Sequence, residues 1–476
     1  MTAGSTDLYL PVVATRMESQ RRAAPVRKPV VLTIAGSDAG GGAGIQADLK
    51  TMEALGTFGT SVVTSVTAQN TRGVESTHPV PVPEIEAQID AVLSDFDVRA
   101  AKTGMLGTRA VVEAVTERAV ELSVPLVVDP VMVAASGDRL LEPAAEAAYE
   151  QLIAESTLVT PNADEAAVLT GIEPEGKETA REAGERLVEL GADAALVKGG
   201  HVPGNRIRDV LVSAEDEEPL VVDHPRVETE ATHGSGCTLS SAIAARLASG
   251  ADLTPAVRDG IAVLERAVRY PLDVGTGPGP VHHLVGIRER ASRQPTAEAI
   301  EGVVDTLVEL DARPLVPEVG LNVVGATPYA EATSETAAVE GRVTRTCAGV
   351  RPNRGVRFGA SSHVARFLLS AREYDPTLRF AANLRFDDDV ESALSVLEGV
   401  VEIDRSKEPA PDEEGSTMGW AASRAFERAE GTPTAVFDRG DVGKEAMTRL
   451  LASDSETLGD RLETVLGELH KGGVDS

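Results

Sequence analysis

A chain of 476 residues is longer than one ordinary hydrophobic core serves, so two domains are expected. At 42% hydrophobic and 25% charged the composition is that of a folded protein, and aromatics at 3% mean that its cores are aliphatic. A net charge of −30, with only eight lysines among 45 basic residues, excludes a general basic surface for nucleic acid. It suits a cytoplasm at high salt, where the screening length falls to roughly 3 Å.

Residues 1–28 hold Arg16, Arg21, Arg22, Arg27 and Lys28 but no adequate apolar stretch for a secretion signal. A disordered leader is expected there, with Met17 as an alternative start. Val30–Ala35 is a continuous, largely β-branched run, the pattern of a strand buried on both faces. Gly36-Ser-Asp-Ala-Gly-Gly-Gly-Ala-Gly44 follows, then a helix with Ile45, Leu49, Met52 and Leu55 on one face and Gly56 at its end. Strand, glycine loop and helix suggest a ligand at the strand's carboxyl end. No Gly-Lys-Ser/Thr follows, so this is not a P-loop, and the later acid of a dinucleotide fingerprint is missing.

Further strands are expected at 60–69, 98–103, 124–131, 156–160, 194–198, 209–213 and 219–223, with helical patterns between several of them, such as Ile85, Ile89, Val92, Leu93 and Phe96. That alternation predicts a layered α/β domain. Polar clusters close these strands: Gln69-Asn70, Lys102-Thr-Gly-Met105, Asp129-Pro-Val-Met132, Thr160-Pro-Asn-Ala-Asp-Glu165 and Lys198-Gly-Gly-His201. Strand ends of an open α/β sheet share one rim, so five such clusters predict one site.

Thr232-His-Gly-Ser-Gly-Cys-Thr238 opens an apolar-periodic helix with Leu239, Ile243 and Leu247, closed by Gly250. A helix start of this kind offers free amides to an anion, and glycine allows close approach. A glycine turn with Cys237 as a small buried filler explains the same stretch equally well taken alone. Cys237 and Cys347 are far apart and have no metal spacing, which points to a reducing compartment. No run approaches a membrane span. Val274–His283 is a Gly/Pro punctuation, and a domain end is expected just beyond it. Beyond it come a helix with Ile300, Val303, Val304 and Leu307, an acidic loop around 408–415, and an amphipathic C-terminal helix with Leu458, Leu462, Val465, Leu466 and Leu469.

Six ordered motifs resemble the hydroxymethylpyrimidine/phosphomethylpyrimidine kinases of thiamine biosynthesis, in the ribokinase-like superfamily. They are Thr33–Lys50, Thr67–Thr71, Lys102–Met105, Asp129–Met132, Val197–His201 and His233–Thr238, and Ala39 stands where many relatives carry proline. The resemblance covers 29–290. It implies a three-layer α/β/α domain using ATP and Mg2+. Gln69, Asp48 and Met105 become pyrimidine-pocket residues, and Gly234, Ser235 and Gly236 the anion hole. Lys198 and Asn162 become nucleotide contacts, and Glu165 and Asp129 candidate magnesium ligands. Cys237 stands where sugar kinases of the superfamily carry an aspartate base. A thiol at a helix start is expected to have a lowered pKa, between about 3.5 and 7.5, which would let it accept the proton. A pyridoxal kinase, from the same superfamily, is the alternative.

Glu318–Val324, Gly341–Arg345, Val356–Leu369 and Asp438–Glu445 resemble the archaeal-type thiamine-phosphate synthase (ThiN-like) domain, over roughly 297–471. The resemblance implies a smaller α/β domain at 297–476 that joins the pyrimidine diphosphate to thiazole phosphate and releases pyrophosphate. Arg342 and His363 match positions on which the family relies. Gly359–Ser362 leads into an apolar helix as a second anion site. Asp438, Arg439, Asp441 and Lys444 are expected to hold magnesium and pyrophosphate, or else form a solvated charge cluster. A non-catalytic sensor of thiamine phosphate is the alternative for this half. The expected whole is a cytoplasmic homo-oligomer acting on small molecules.

Overall fold

The computed structural model describes residues 23–133, 140–142, 145–216, 218–408, 416–441 and 443–472. The expected leader up to residue 22 and the acidic residues 409–415 lie outside these. The first sheet contains β1 (Val30–Asp38), β2 (Phe58–Asn70), β3 (Gly73–Pro79), β4 (Val98–Thr103), β5 (Leu126–Val128), β6 (Leu158–Val159), β7 (Ala194–Val197), β8 (Arg206–Ser213) and β9 (Leu220–Pro225). Their order is β3-β2-β1-β4-β5-β6-β7-β8-β9. From β2 to β7 the pairs are parallel. β3 pairs antiparallel with β2, and β8 with β7 and β9. β3 was not expected from the sequence, because its residues are mostly exposed and carry no apolar alternation.

The helices of this half are α1 (Gly44–Ala54), α2 (Val82–Asp95), α3 (Arg109–Ala119), α4 (Glu146–Ala154), α5 (Ala163–Thr170), α6 (Lys177–Glu189), α7 (Ser235–Ala248) and α8 (Leu253–Arg269). Neighbouring strand residues serve opposite faces. Val31, Val127 and Leu196 pack with Leu239, Ile243 and Val257 of α7 and α8. Leu32, Ile34, Val128 and Val197 pack with residues of α2, α3, α4 and α6. Each such buried aliphatic side chain stabilises the fold by about 1.5–3 kcal/mol, which is why the central strands read as continuous apolar runs.

α9 (Val285–Glu309) is one unbroken helix through the point where the domain boundary was expected, with Pro295 inside it. An internal proline costs about 3 kcal/mol, and packing at both ends offsets it. Val285 is buried with Ala267 and Val281 of the first half. Ile300, Val303, Val304 and Leu307 are buried in the second.

The second half contains β10 (Asn322–Ala326), β11 (Thr336–Val339), β12 (Val343–Thr346), β13 (Gly349–Pro352), β14 (Val356–Phe358), α10 (His363–Arg372), β15 (Phe380–Arg385), α11 (Asp388–Leu394), β16 (Val400–Glu402), α12 (Ser416–Arg428), β17 (Ala435–Asp438), β18 (Met447–Ala452) and α13 (Ser455–Gly472). Its sheet order is β14-β11-β10-β15-β18-β17-β16, and β12 and β13 form a separate hairpin. Strand alternation again divides two faces. Val323, Ala382, Leu450 and Phe437 meet α9, α11 and α13, while Val324, Ala381, Leu451 and Val436 meet α10 and α12.

The two halves touch beside α9. Arg266 donates to Glu335 at 2.7 Å and to the Tyr329 carbonyl at 2.5 Å, and Arg269 pairs with Glu373 at 2.9 Å. The Tyr270 and Tyr329 rings meet edge to face at 5.3 Å.

Candidate active site

At the carboxyl ends of the parallel strands lies a cavity of about 720 Å³. Gln69, Met105, Asp129, Asn162, Glu165, Lys198, Gly234, Ser235, Gly236 and Cys237 all line it. The rim expected from five strand-end clusters is therefore a single concave surface.

Asp38 at the end of β1 organises the glycine loop. Its carboxylate accepts from the amides of Gly40, Gly42 and Ala43 at 2.7–2.8 Å. It also meets His233 Nε2 at 3.0 Å. Burial acts against that charge, but the His233 contact and the loop amides hold its pKa below the usual carboxylate value. The glycine and anion loops are in backbone contact. A Cβ on Gly234, whose φ is +80°, would lie 1.9 Å from the Gly42 carbonyl oxygen. A Cβ on Gly44, φ +55°, would lie 2.4 Å from the Gly36 oxygen. Only glycine permits this approach.

Gly234 caps α7, so Ser235, Gly236 and Cys237 form its first turn. The Ser235 amide is committed to the Thr232 carbonyl. The Gly236 and Cys237 amides precede Thr238, whose amide makes the first intrahelical bond to the Gly234 carbonyl, and are available to an anion. Lys198 Nζ lies 3.1 Å from Asp129, which also accepts from Thr160. Asn162 and Glu165 form a reciprocal capping box at the start of α5. Burial, with Asp129 adding to it, pushes the Glu165 carboxyl up to about 7 despite the opposing Lys198 charge.

Two expectations need correction here. Asp48 is not part of the pocket wall. It is fully buried beneath it, accepting from Thr33 at 2.6 Å, Ser241 at 2.7 Å and Lys102 at 2.8 Å. The Cys237 thiol is not lowered in pKa. Burial pushes it up to about 12, and Asp48 and Asp129 add to this, against Lys102 and the Gly44 amide. The loss of water on burial outweighs the opposing Lys102 charge and Gly44 amide.

Sequence reasoning gave no individual roles to Asp38, His233 or Lys102. All three stood inside recognised motifs. What was missing was the pairing, since His233 lies 195 residues from Asp38 and Lys102 lies 54 from Asp48.

In the second half, Arg342 follows Gly341, and both adopt left-handed φ, +68° and +78°. Such a φ is uncommon for arginine. Its guanidinium donates to the Val319 carbonyl. The Glu318 and Val319 amides donate to Glu445, so Arg342 is joined to the 438–445 loop. His363 opens α10, with Nδ1 3.3 Å from Ser362 Oγ.

Within the expected magnesium and pyrophosphate cluster, Asp438 is corrected as a metal ligand, and Arg439 and Lys444 carry ion pairs while remaining half exposed. Asp438 is 1% exposed and occupied by Arg405 at 3.2 Å and Arg449 at 3.1 Å. Arg439 is clamped by Glu391 and Glu402, and Lys444 pairs with Glu408 at 2.8 Å. Oppositely charged neighbours from distant segments satisfy these groups, and a local sequence window does not contain them. Among the described residues no group of three or more His, Cys, Asp or Glu could hold a metal ion, and no helix is long and apolar enough to cross a membrane.

Fold and site together define a ribokinase-like α/β kinase joined to a second α/β domain. The phosphomethylpyrimidine kinase model matches residues 38–282, and the chain belongs to that family. The model of thiamine-phosphate synthase ThiN matches residues 299–464. The chain is thus a bifunctional enzyme of thiamine biosynthesis. A hydroxymethylpyrimidine/phosphomethylpyrimidine kinase of Rhizobium meliloti is 49% identical over 260 residues, covering 53% of this chain and 96% of that protein. The thiamine biosynthesis bifunctional protein ThiED of Geobacter sulfurreducens is 43% identical over 274 residues, covering 57% of this chain and 56% of that one. Among solved structures, an ADP complex of Bacillus subtilis pyridoxal kinase is 32% identical with a TM-score of 0.51, covering 54% of this chain and 98% of that one.

Proposed function

We propose that the first half phosphorylates hydroxymethylpyrimidine and then its monophosphate from ATP, and that the second half condenses the resulting diphosphate with thiazole phosphate. The supporting observation is the cavity in which the anion loop, Gln69 and the Asp129–Lys198–Glu165 group face one another. Phosphoryl transfer asks mainly for alignment and charge neutralisation.

Gln69 and Met105 hold the pyrimidine with its hydroxyl toward Cys237. The acceptor oxygen forms a bond to the γ-phosphorus, the bond from phosphorus to the bridging oxygen breaks, and ADP leaves. Cys237 Sγ is assigned as the acceptor of the hydroxyl proton, in the thiolate form that burial disfavours and the Lys102 charge favours. The Gly236 and Cys237 amides meet the charge on the transferred group, and Lys198 and Asn162 face the nucleotide. Asp129 and Glu165 fit a magnesium ion, since two buried carboxylates face the single positive charge of Lys198, and burial raises the Glu165 pKa. Such an ion takes one or two carboxylates together with phosphate oxygens and water. When bound it neutralises phosphate charge.

In the second half the thiazole nitrogen forms a bond to the pyrimidine methylene carbon, and the carbon–oxygen bond to diphosphate breaks. Arg342 and His363 are assigned to the departing pyrophosphate. The domain boundary is placed inside α9, and tethering raises the local concentration of the intermediate. A cytoplasmic setting at high salt and a homo-oligomeric state complete this reading, on composition and family resemblance.

Pyridoxal kinase activity is the second reading, favoured by the resemblance to a structure of that enzyme. The test offers both alcohols with ATP and magnesium, then adds thiazole phosphate and measures thiamine phosphate. Turnover of pyridoxal alone, or no thiamine phosphate from the pyrimidine, refutes the proposal. C237A is expected to lose most transfer to the pyrimidine alcohol while retaining ADP binding.

A further inference from the structure

Beneath the anion loop lies a closed polar group that the reaction above does not use. Thr33, Asp48, Lys102 and Ser241 are each 0% exposed, beside the aliphatic side chains that α7 packs against the sheet. Asp48 receives three donors, Thr33 Oγ1 on one oxygen and both Lys102 Nζ and Ser241 Oγ on the other. Ser241 is four residues beyond Cys237 on α7, so the two share one face of that helix. The contact between Ser241 and Asp48 therefore places the ion pair under the thiol. Above it, the Gly44 amide at the start of α1 donates to the thiol.

A buried ion pair seldom stabilises a fold more than well-packed apolar residues of similar volume. Stability alone does not explain a fully buried lysine in this layer. The charged groups facing the thiol are Lys102 on β4, Asp48 on α1, Asp129 after β5 and Lys198 after β7. Burial works against the Lys102 ammonium, but Asp48, then Cys237 and Asp129, hold its pKa above the ordinary lysine value. It is a permanent cation that solvent cannot screen.

We propose that Lys102 is a positioning residue of the kinase reaction: its buried ammonium, held in place by Asp48, favours the ionised form of the Cys237 thiol. Asp48 fixes the cation and at the same time moderates its charge. The inference rests on the reading of Cys237 as the proton acceptor and deepens it.

The test uses the intact chain in magnesium-free buffer. The protein has two cysteines, and exposed Cys347 serves as an internal reference. Iodoacetamide is added at pH 8, and the alkylation rate of each cysteine is read by peptide mass spectrometry. A tenfold change in the thiol's ionisation constant changes the rate at fixed pH about threefold, because nucleophilicity partly compensates the thiolate fraction. K102M is expected to slow Cys237 relative to Cys347 by about threefold or more. D48N, which keeps the shape and removes the anion, is expected to speed it by a similar factor. Loss of a merely structural strut moves both variants the same way, toward the rate of Cys347. An unchanged or faster Cys237 in folded K102M overturns the proposal. Should K102M not fold, Cys237 reacts like Cys347, and D48N decides: an unchanged ratio there overturns it. Full kinase turnover by C237A would remove the base reading without touching this ratio, so the two failures are distinguishable.

Discussion

Replacing Asp438 by asparagine separates a structural role from the metal-binding role that the sequence suggested. The carboxylate is 1% exposed, and its two oxygens accept from Arg405, Arg449 and the Gly440 amide at 3.0–3.4 Å. Arg449 is itself buried, on the α10 face of the sheet, with its guanidinium 5.4 Å from the centre of the Phe367 ring. Asparagine keeps one acceptor for Gly440 but leaves two guanidinium groups without their anion. Removing one partner of a buried pair costs about 3–5 kcal/mol. Arg405 can turn partly toward Glu408, already 3.2 Å away, so the lower end is expected, about 3 kcal/mol. Urea unfolding followed by tryptophan fluorescence reads this half alone, because the single tryptophan is Trp420 in α12. For a unit of this size the melting temperature falls by about 6–12 °C. Kinase turnover stays unchanged. Stability within about 1 kcal/mol of wild type, with a raised magnesium requirement for thiamine phosphate formation, would refute the reasoning and restore the metal role.

Glu165 gives a pH prediction. Its folded pKa, about 7, lies above its ordinary value, so between about 4.5 and 7 the folded state binds more protons than the unfolded one. Its contribution to stability is therefore present at low pH and lost as pH rises through that window. The ligand-free wild type should lose about 3 kcal/mol relative to E165Q between pH 4.5 and 7, read by calorimetry; parallel curves would contradict this. R266A/R269A removes the ion pairs between the halves, and its heat-capacity trace should separate into two transitions where wild type shows one. In R342A, thiamine phosphate formation should fall at least tenfold with kinase turnover intact, as measured with supplied pyrimidine diphosphate. Equal loss of both activities would argue for a folding defect.

The kinase site was legible because its residues lie at strand ends in contiguous motifs. Gln69, Met105, Asp129, Asn162, Glu165, Lys198 and Gly234–Cys237 are short-range features of loops that a parallel sheet necessarily gathers on one rim. Length, charge and aliphatic periodicity likewise fixed the class of fold and the location of its main strands. What the sequence alone did not determine is the environment of each ionisable group. Cys237 at a helix start reads as an activated thiol, yet burial and two carboxylates raise its pKa. Asp48 in a pocket motif reads as a substrate contact, yet three buried donors occupy it. Asp438 in a turn-rich run of charges reads as a metal ligand, yet two arginines surround it. Desolvation and Coulomb terms depend on which distant segments close over a group, and they outweigh the local signal once water is excluded. Only the tertiary structure decided those pairings.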